Sequence, residues 1–359
     1  MILYGISVSY YTGKLEAYLR YKGMPYEMVS PFSKAKEILP HTGAIQVPMV
    51  HLDDDRWMSD TTPIIRYFDS EQPGPSVYPE DPVVRFIALL IEDYGDEWLW
   101  RAAMHYRWTY EHDRALLSRI LTDELMGFVK APRFIKLNRI AKRQRTSFVI
   151  KDGVTNETQP HVEQGYFNAL SNMTSMLQGR PYLLGETPSI ADYGMMGPML
   201  RHFGQDPTPA EIMRNQAPAV YEWVARVWNA EQGDASAFVS AVPEDAAPML
   251  KELSETHLVQ LKANAEAYGA GQNKFEMLVQ DCLYQELPVS RYRVWCLEQL
   301  RTKFSALPGD AQQSVKDLLP YPEAEILWQP DIPASSEYDV EGRAPFNKAI
   351  NVYGKGTPD

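Results

Sequence analysis

Residues 7 to 20, Ser7-Val8-Ser9-Tyr10-Tyr11-Thr12-Gly13-Lys14-Leu15-Glu16-Ala17-Tyr18-Leu19-Arg20, join a short apolar start, Ile2-Leu3-Tyr4-Gly5-Ile6, to an amphipathic run. The pattern predicts a strand, a hydroxyl-rich turn and a helix. A helix N-terminus carries unpaired amide donors and about half a positive charge, so Ser9 and Thr12 fall where a thiolate or carboxylate is held.

Two further stretches work outward from that turn. Gln46-Val47-Pro48-Met49-Val50 puts a proline at the head of an apolar strand, which suits an edge position or a cis peptide because proline cannot donate to a ladder. Trp57-Met58-Ser59-Asp60-Thr61-Thr62-Pro63-Ile64-Ile65-Arg66-Tyr67-Phe68 predicts a short strand, a capping cluster and a helix with proline in its first turn. A hairpin of residues 48–52 and 56–58 across Asp53-Asp54-Asp55 completes a βαβ unit plus hairpin, followed by a helix over 61–70.

Ser9-x-x-Thr12-x-Lys14, Gln46-Val47-Pro48 and Asp60-Thr61, in that order, resemble the N-terminal, thioredoxin-like domain of the glutathione transferases. Further on, Gly185-Glu186-Thr187-Pro188-Ser189-Ile190-Ala191-Asp192 carries the Ser-x-x-Asp capping box ahead of an apolar helix. It is similar to the Ser-x-Ala-Asp motif of that family's all-helical second domain. The resemblance spans roughly residues 1 to 230. It implies an α/β thioredoxin-like domain over 1–72, an all-α domain over 80–232, and an extension over 237–359, helical then irregular, which the family does not explain. Leu15 where the family usually has valine, and Thr61 where it usually has serine, are departures.

The resemblance also implies a site. Ser9 matches the hydroxyl that activates the glutathione thiol, with Thr12, Tyr10, Tyr11 and Tyr4 as competing donors; the alternative for Ser9 is a cap of its own helix. Val47, before Pro48, would pair its main chain with the cysteinyl unit, Gln46 matches a contact position, and Asp60 with Thr61 would take the γ-glutamyl end. Lys34 or Lys36 would reach the glycyl carboxylate, unless both are solvated side chains. The implied partners are glutathione as co-substrate and a hydrophobic electrophile or peroxide, with a homodimer, a detoxifying role and no metal. A fold-retaining binding or scaffold protein is the alternative.

Composition narrows the field. Two cysteines, Cys282 and Cys296, both lie in the extension, so neither occupies the helix start where a thiol-disulfide oxidoreductase of this fold keeps its attacking thiol. With 45% hydrophobic residues in 359 the chain buries a sizeable core, and a net charge of −12 disfavours a nucleic-acid partner. The absence of a signal-like start and of a long apolar run leads to the expectation of a cytoplasmic protein without a membrane span. The stretch 94–110 is aromatic-rich; Tyr94, Trp98, His105 and Trp108 fall near one helical face, which predicts either a pocket wall or plain core. Lys130, Arg133, Lys136, Arg139, Lys142, Arg143 and Arg145 form a basic run that reads as a solvated helix face or an anion-attracting one. Tyr321 onward is proline-rich and polar, with Trp328 and Phe346 as anchors.

Overall fold

Alternation of short apolar runs with amphipathic ones builds a mixed sheet first. In the computed structural model, which describes residues 1–329 and 335–348, β1 (Ile2–Tyr4), α1 (Tyr10–Tyr21), β2 (Glu27–Val29), α2 (Ala35–Thr42), β3 (Met49–His51), β4 (Trp57–Ser59) and α3 (Thr61–Glu71) follow in order. The sheet runs β2-β1-β3-β4, with β1 parallel to β2 and antiparallel to β3, and β3 antiparallel to β4. Tyr4 stands opposite Met49, and Met49 opposite Ser59. Segments 5–9, 47–48 and 60–61 therefore leave or enter the sheet at that end, as does the chain following Val29 of β2. β3 is an interior strand, so of the two sequence expectations for Pro48 it is the cis peptide that is realised, at Val47-Pro48.

The helical domain comprises α4 (Pro82–Glu97), α5 (Leu99–Thr109), α6 (Glu111–Met126), α7 (Arg133–Arg145), α8 (Gln159–Met176), α9 (Ile190–Pro198), α10 (Pro207–Gln216) and α11 (Pro218–Trp228). α9 packs between α4 and α1, so the two domains share one core. Its capping box has formed at Ser189 and Asp192. The Asp192 carboxylate accepts from the Ser189 N–H and hydroxyl at 2.9 Å each, and also from the Leu183 N–H at 2.9 Å and the Trp223 indole at 3.0 Å. Asp192→Ala strands those buried donors. At about 1.5–3 kcal/mol for each bond to a charged group, partly offset by relaxation, a loss of at least ~3 kcal/mol in chemical denaturation is expected.

The extension adds α12 (Ala247–Leu253), α13 (Val259–Gly269), β5 (Lys274–Val279), β6 (Cys282–Pro288), α14 (Arg291–Ser305) and α15 (Gly309–Leu318). The hairpin β5-β6 corrects the expectation of a purely helical-then-irregular extension. Lys274–Val279 alternates exposed and buried residues, the period of a half-buried strand, and the two-residue turn at Gln280 and Asp281 has φ of 46° and 65°. Its Tyr284 enters the core beside Trp98 and Arg101. α14 and α15 lie against α4, and Phe304 meets Phe86 edge to face. The expected anchors both engage: Trp328 packs on Phe304, and Phe346 on Tyr67. Residues 330–334 and 349–359 of the irregular end lie outside the described residues. Among the described residues no helix is long and apolar enough to cross a membrane.

Candidate functional site

The turn after β1 is fixed from the helical domain. Glu124 of α6 accepts from the N–H and hydroxyl of Ser7, and Arg107 of α5 donates to the Val8 carbonyl at 2.7 Å while forking onto Asp206 at 2.6 and 2.9 Å. Ser9 follows as the cap of α1 with extended backbone, its Oγ accepting from the Thr12 N–H at 3.3 Å. That bond uses a lone pair of the hydroxyl and leaves its hydrogen to donate outward. Ser9 is partly open to solvent, and among the described residues the main-chain N–H groups of Tyr10 and Tyr11 have no acceptor. The first turn of α1 thus offers an anion one hydroxyl, two amides and the helix dipole.

The competing hydroxyls are spent elsewhere. Tyr10 is buried with its hydroxyl donating to the Gly95 carbonyl, and its ring meets Trp100 and His202. Tyr11 donates to the Asp96 carbonyl at 3.0 Å and stacks on Trp100. Thr12 is fully buried and accepts from the Ile6 N–H at 3.4 Å. Tyr4 stacks on Trp57, packs with Ile38 and Met49, and reaches Glu37 at 3.5 Å. The Tyr10, Tyr11 and Tyr4 hydroxyls are thus engaged within the fold and Thr12 is enclosed, whereas the Ser9 hydroxyl is partly open to solvent.

The other two segments arrive at the same end of the sheet by register. Val47 and Pro48 precede Met49, with Gln46 exposed beside them, and Asp60 and Thr61 follow Ser59 into α3. With strands about 4.8 Å apart, the ends of β1 and β4 that lead into α1 and α3 are two strand spacings from each other, with the start of β3 between them. Asp60 has φ 74° and makes no side-chain cap to its own helix, so its carboxyl points elsewhere. Half-buried as a residue, it has an enclosed carboxyl: Oδ1 accepts from the Tyr292 hydroxyl of α14 at 3.0 Å, and Oδ2 has no partner. Burial pushes this carboxyl up to about 7; the Tyr292 bond and Lys14 pull it down, and Glu97 and Glu92 push it up. Lys34 pairs with Glu37 at 3.2 Å, and Lys34 and Lys36 are both exposed, the solvated alternative.

A buried ion cluster sits behind the site. Lys14, fully enclosed, reaches Asp96 at 2.5 Å, Glu92 at 2.7 Å and the Thr62 hydroxyl at 3.1 Å, tying α1, α3 and α4 together. Burial works against its charge, but the two carboxylates hold its ammonium above the ordinary lysine range. Burial in turn pushes Asp96 up.

The aromatic face expected from Tyr94, Trp98, His105 and Trp108 is broken at Trp98, where α4 gives way to α5. His105 bonds Glu163 at 2.9 Å, Trp98 meets His161 and Tyr284, and Trp108 is fully buried; all four are core. Trp100, Tyr11 and Phe148 make the aromatic cluster beside the turn after β1 instead. Sequence reasoning also missed Tyr292, for which nothing local to residue 292 gives a signal. Cys296 is buried and Cys282 half-buried, both as free thiols. No group of three or more His, Cys, Asp or Glu side chains that could hold a metal ion occurs among the described residues.

Residues 3–76 match the family model for the glutathione S-transferase N-terminal domain, and residues 140–231 that for the glutathione S-transferase C-terminal domain. No curated protein matches the chain. Among solved structures it is similar to a GST-like protein from Pseudomonas syringae, at 19% identity and TM-score 0.41 over 70% of this chain and 73% of that one. It is also similar to a glutathione S-transferase from Methylobacterium radiotolerans in complex with glutathione sulfonate, at 18% identity and TM-score 0.39 over 63% and 89%. FzlA from C. crescentus is 17% identical with TM-score 0.41 over 64% and 89%.

Proposed function

The chain belongs to the glutathione transferase superfamily, whose N- and C-terminal domain models both match it, and from that premise we propose that it binds glutathione across the end of its sheet and activates the thiol through Ser9. The observation that carries this reading is the Ser9 hydroxyl, which caps α1 through a lone pair and keeps its hydrogen for a ligand, at the same sheet end as Pro48 and Asp60. A thiolate placed there receives a hydroxyl donor, the two unpaired amides and the positive helix end. The thiol proton leaves to solvent as the thiolate forms. The sulfur then bonds to the carbon of an apolar electrophile, which expels its leaving group or takes up a proton. With a peroxide it attacks an oxygen, breaking the O–O bond to release an alcohol and a glutathione sulfenic acid that a second glutathione converts to disulfide and water.

The γ-glutamyl end falls at Asp60 and Thr61. The free Oδ2 of Asp60 suits the ligand ammonium while Tyr292 keeps Oδ1. Asp60→Ala is expected to weaken glutathione about tenfold or more in titration calorimetry, the loss of one charge-assisted bond. The pH dependence has a definite sign. The ammonium pairs only with the ionised carboxyl, so affinity rises as pH climbs through about 7 and then levels off, and Asp60→Asn flattens the profile. For folding the sign is opposite. A carboxyl raised to about 7 in the folded chain, against about 3.9 unfolded, contributes stability at low pH that is lost as pH rises through that range. No heat with glutathione at any pH contradicts the proposal.

The Tyr292 contact favours a second reading, a binding or scaffold protein whose extension has taken over the γ-glutamyl corner. Ser59, immediately before Asp60, also donates its N–H to the Pro345 carbonyl at 3.0 Å. A panel of electrophiles and peroxides separates the two: glutathione binding without turnover across the panel supports the scaffold. Location in the cytoplasm, a detoxifying role and a homodimer belong to the enzyme reading as proposals.

A further inference from the structure

The hairpin of α6 and α7 carries the basic run on its outer side. Between residues 125 and 151 the chain has eight lysines and arginines and no acid, inside a protein of net charge −12. Ile140 and Gln144 of α7 turn inward. On the opposite side of the helix Ile135, Arg139 and Lys142, spaced i, i+4 and i+7, are exposed with Phe134, Arg143 and Arg145 beside them. Arg133 is matched by Asp123 at 2.9 Å, but among the described residues Lys130, Arg139, Lys142, Arg143 and Arg145 have no carboxylate partner.

The tip of the hairpin adds apolar surface to that charge. Phe128 is 64% exposed, Phe134 66% and Ile135 47%. The loop that carries Phe128 is firmly bonded: Lys136 turns back to donate to the Met126 and Val129 carbonyls at 3.1 and 3.3 Å, and the Val129 and Ala131 N–H groups donate to those same two carbonyls at 3.1 and 3.0 Å. Two phenylalanines are thus held in water beside unpaired cations, a cost to the free chain that burial against a partner returns.

The charge pattern selects the partner. A protein interface fixes its register with charges of both signs, whereas an anionic bilayer offers negative charge throughout and acyl chains to receive phenylalanine rings. The rest of the chain is acidic and is repelled by such a surface, which leaves this hairpin as the face that meets it.

We propose that the α6–α7 hairpin docks the protein on an anionic lipid surface, with Phe128, Phe134 and Ile135 entering the boundary between head groups and acyl chains and Lys130, Arg139, Lys142 and Arg145 lying against the lipid phosphates. Glu124, which holds Ser7, lies four residues before Phe128, so the docked face borders the turn that carries Ser9. The docking does not depend on glutathione binding.

The test is sedimentation of the full chain with vesicles, one set an about 2:1 mixture of phosphatidylcholine and phosphatidylserine and the other phosphatidylcholine alone. Binding to the mixed vesicles at least tenfold tighter than to phosphatidylcholine is expected, and it should weaken as salt rises. Arg139→Gln/Lys142→Gln/Arg145→Gln should lower the affinity at least tenfold, and Phe128→Ser/Phe134→Ser about tenfold. Phe134→Trp should add a fluorescence that brominated acyl chains quench. All of these changes fall on exposed side chains, and circular dichroism with an unchanged unfolding transition confirms that each variant is folded. No binding to the mixed vesicles, equal binding to both kinds, an unaltered affinity in the folded triple-glutamine variant, or a Phe134→Trp signal that brominated chains leave untouched overturns the proposal. So does a dimer that Phe128→Ser/Phe134→Ser splits, which makes the face an interface between copies, or binding of poly-glutamate as tight as that of the vesicles, which makes it a site for an acidic protein.

Discussion

Ser9→Ala is expected to lower the kcat/KM of glutathione conjugation about 25-fold at pH 7 and close to 100-fold at pH 5.5, while glutathione affinity falls only about fourfold at pH 7 and hardly at all at pH 5.5. The size follows from the thiol. At a pKa of ~8.5 it is about 3% thiolate at neutral pH; lowered by about two units, worth ~2.7 kcal/mol, it is about three-quarters ionised. Removing the hydroxyl returns the thiol towards its free value, so the deficit grows as pH falls and closes above pH ~9. A wild-type level of turnover in Ser9→Ala across that range would remove Ser9 from the mechanism. Tyr10→Phe and Thr12→Val do not mimic it, because their hydroxyls serve the Gly95 carbonyl and the Ile6 N–H inside the fold. The Val8 carbonyl held by Arg107 and the Ser7 side chain held by Glu124 keep the turn in place, so the geometry at Ser9 depends on the helical domain as well as on α1.

Lys14→Met should destabilise the chain by about 3–5 kcal/mol in denaturant unfolding, a large part of the ~5–15 kcal/mol that holds a typical domain folded. The methionine fits the space, but it leaves Glu92 and Asp96 buried beside each other without their cation. Burial already pushes the Asp96 carboxyl up, and without the cation it takes up a proton more readily, so the variant should recover stability as pH falls below neutral, the opposite of ordinary acid denaturation. Adding Glu92→Gln and Asp96→Asn to Lys14→Met should restore much of the loss, since the cost lies in the uncompensated charges. A loss under about 1 kcal/mol would mean that the cluster is not what joins α1, α3 and α4.

Much of the architecture is written in local sequence. The turn after β1, the proline at 48, the pair Asp60-Thr61 and the box Ser189-Ile190-Ala191-Asp192 are each a few residues long and act through nearby backbone groups, so residue order alone locates them. The hairpin β5-β6 was less visible. Lys274–Val279 carries the two-residue alternation, but the turn at Gln280-Asp281 adopts positive φ without the glycine or asparagine that usually announces it. The four aromatics from Tyr94 to Trp108 failed as a single face because the helix they were placed on breaks at Trp98, at no proline or glycine.

The site divides in the same way. Ser9, Pro48 and Asp60 were found because each terminates an element, and the sheet register then sets them at one end. The Tyr292 hydroxyl on Asp60 spans 232 residues. Such a contact depends on how α14 settles on α3 and α4, and no local pattern encodes that. What the sequence presented as an unexplained appendage is a third wall, which completes the Asp60 corner.

The central claim is that the positive end of α1, through Ser9, stabilises a thiolate contributed by glutathione. It is tested most directly by following the ultraviolet absorbance of the thiolate while the glutathione complex is titrated with acid and base, in the wild-type chain and in Ser9→Ala. The account predicts a thiol that ionises near pH 6.5 in the wild-type complex and near 8.5 in the variant. A bound thiol that titrates at its free value in both proteins would contradict it.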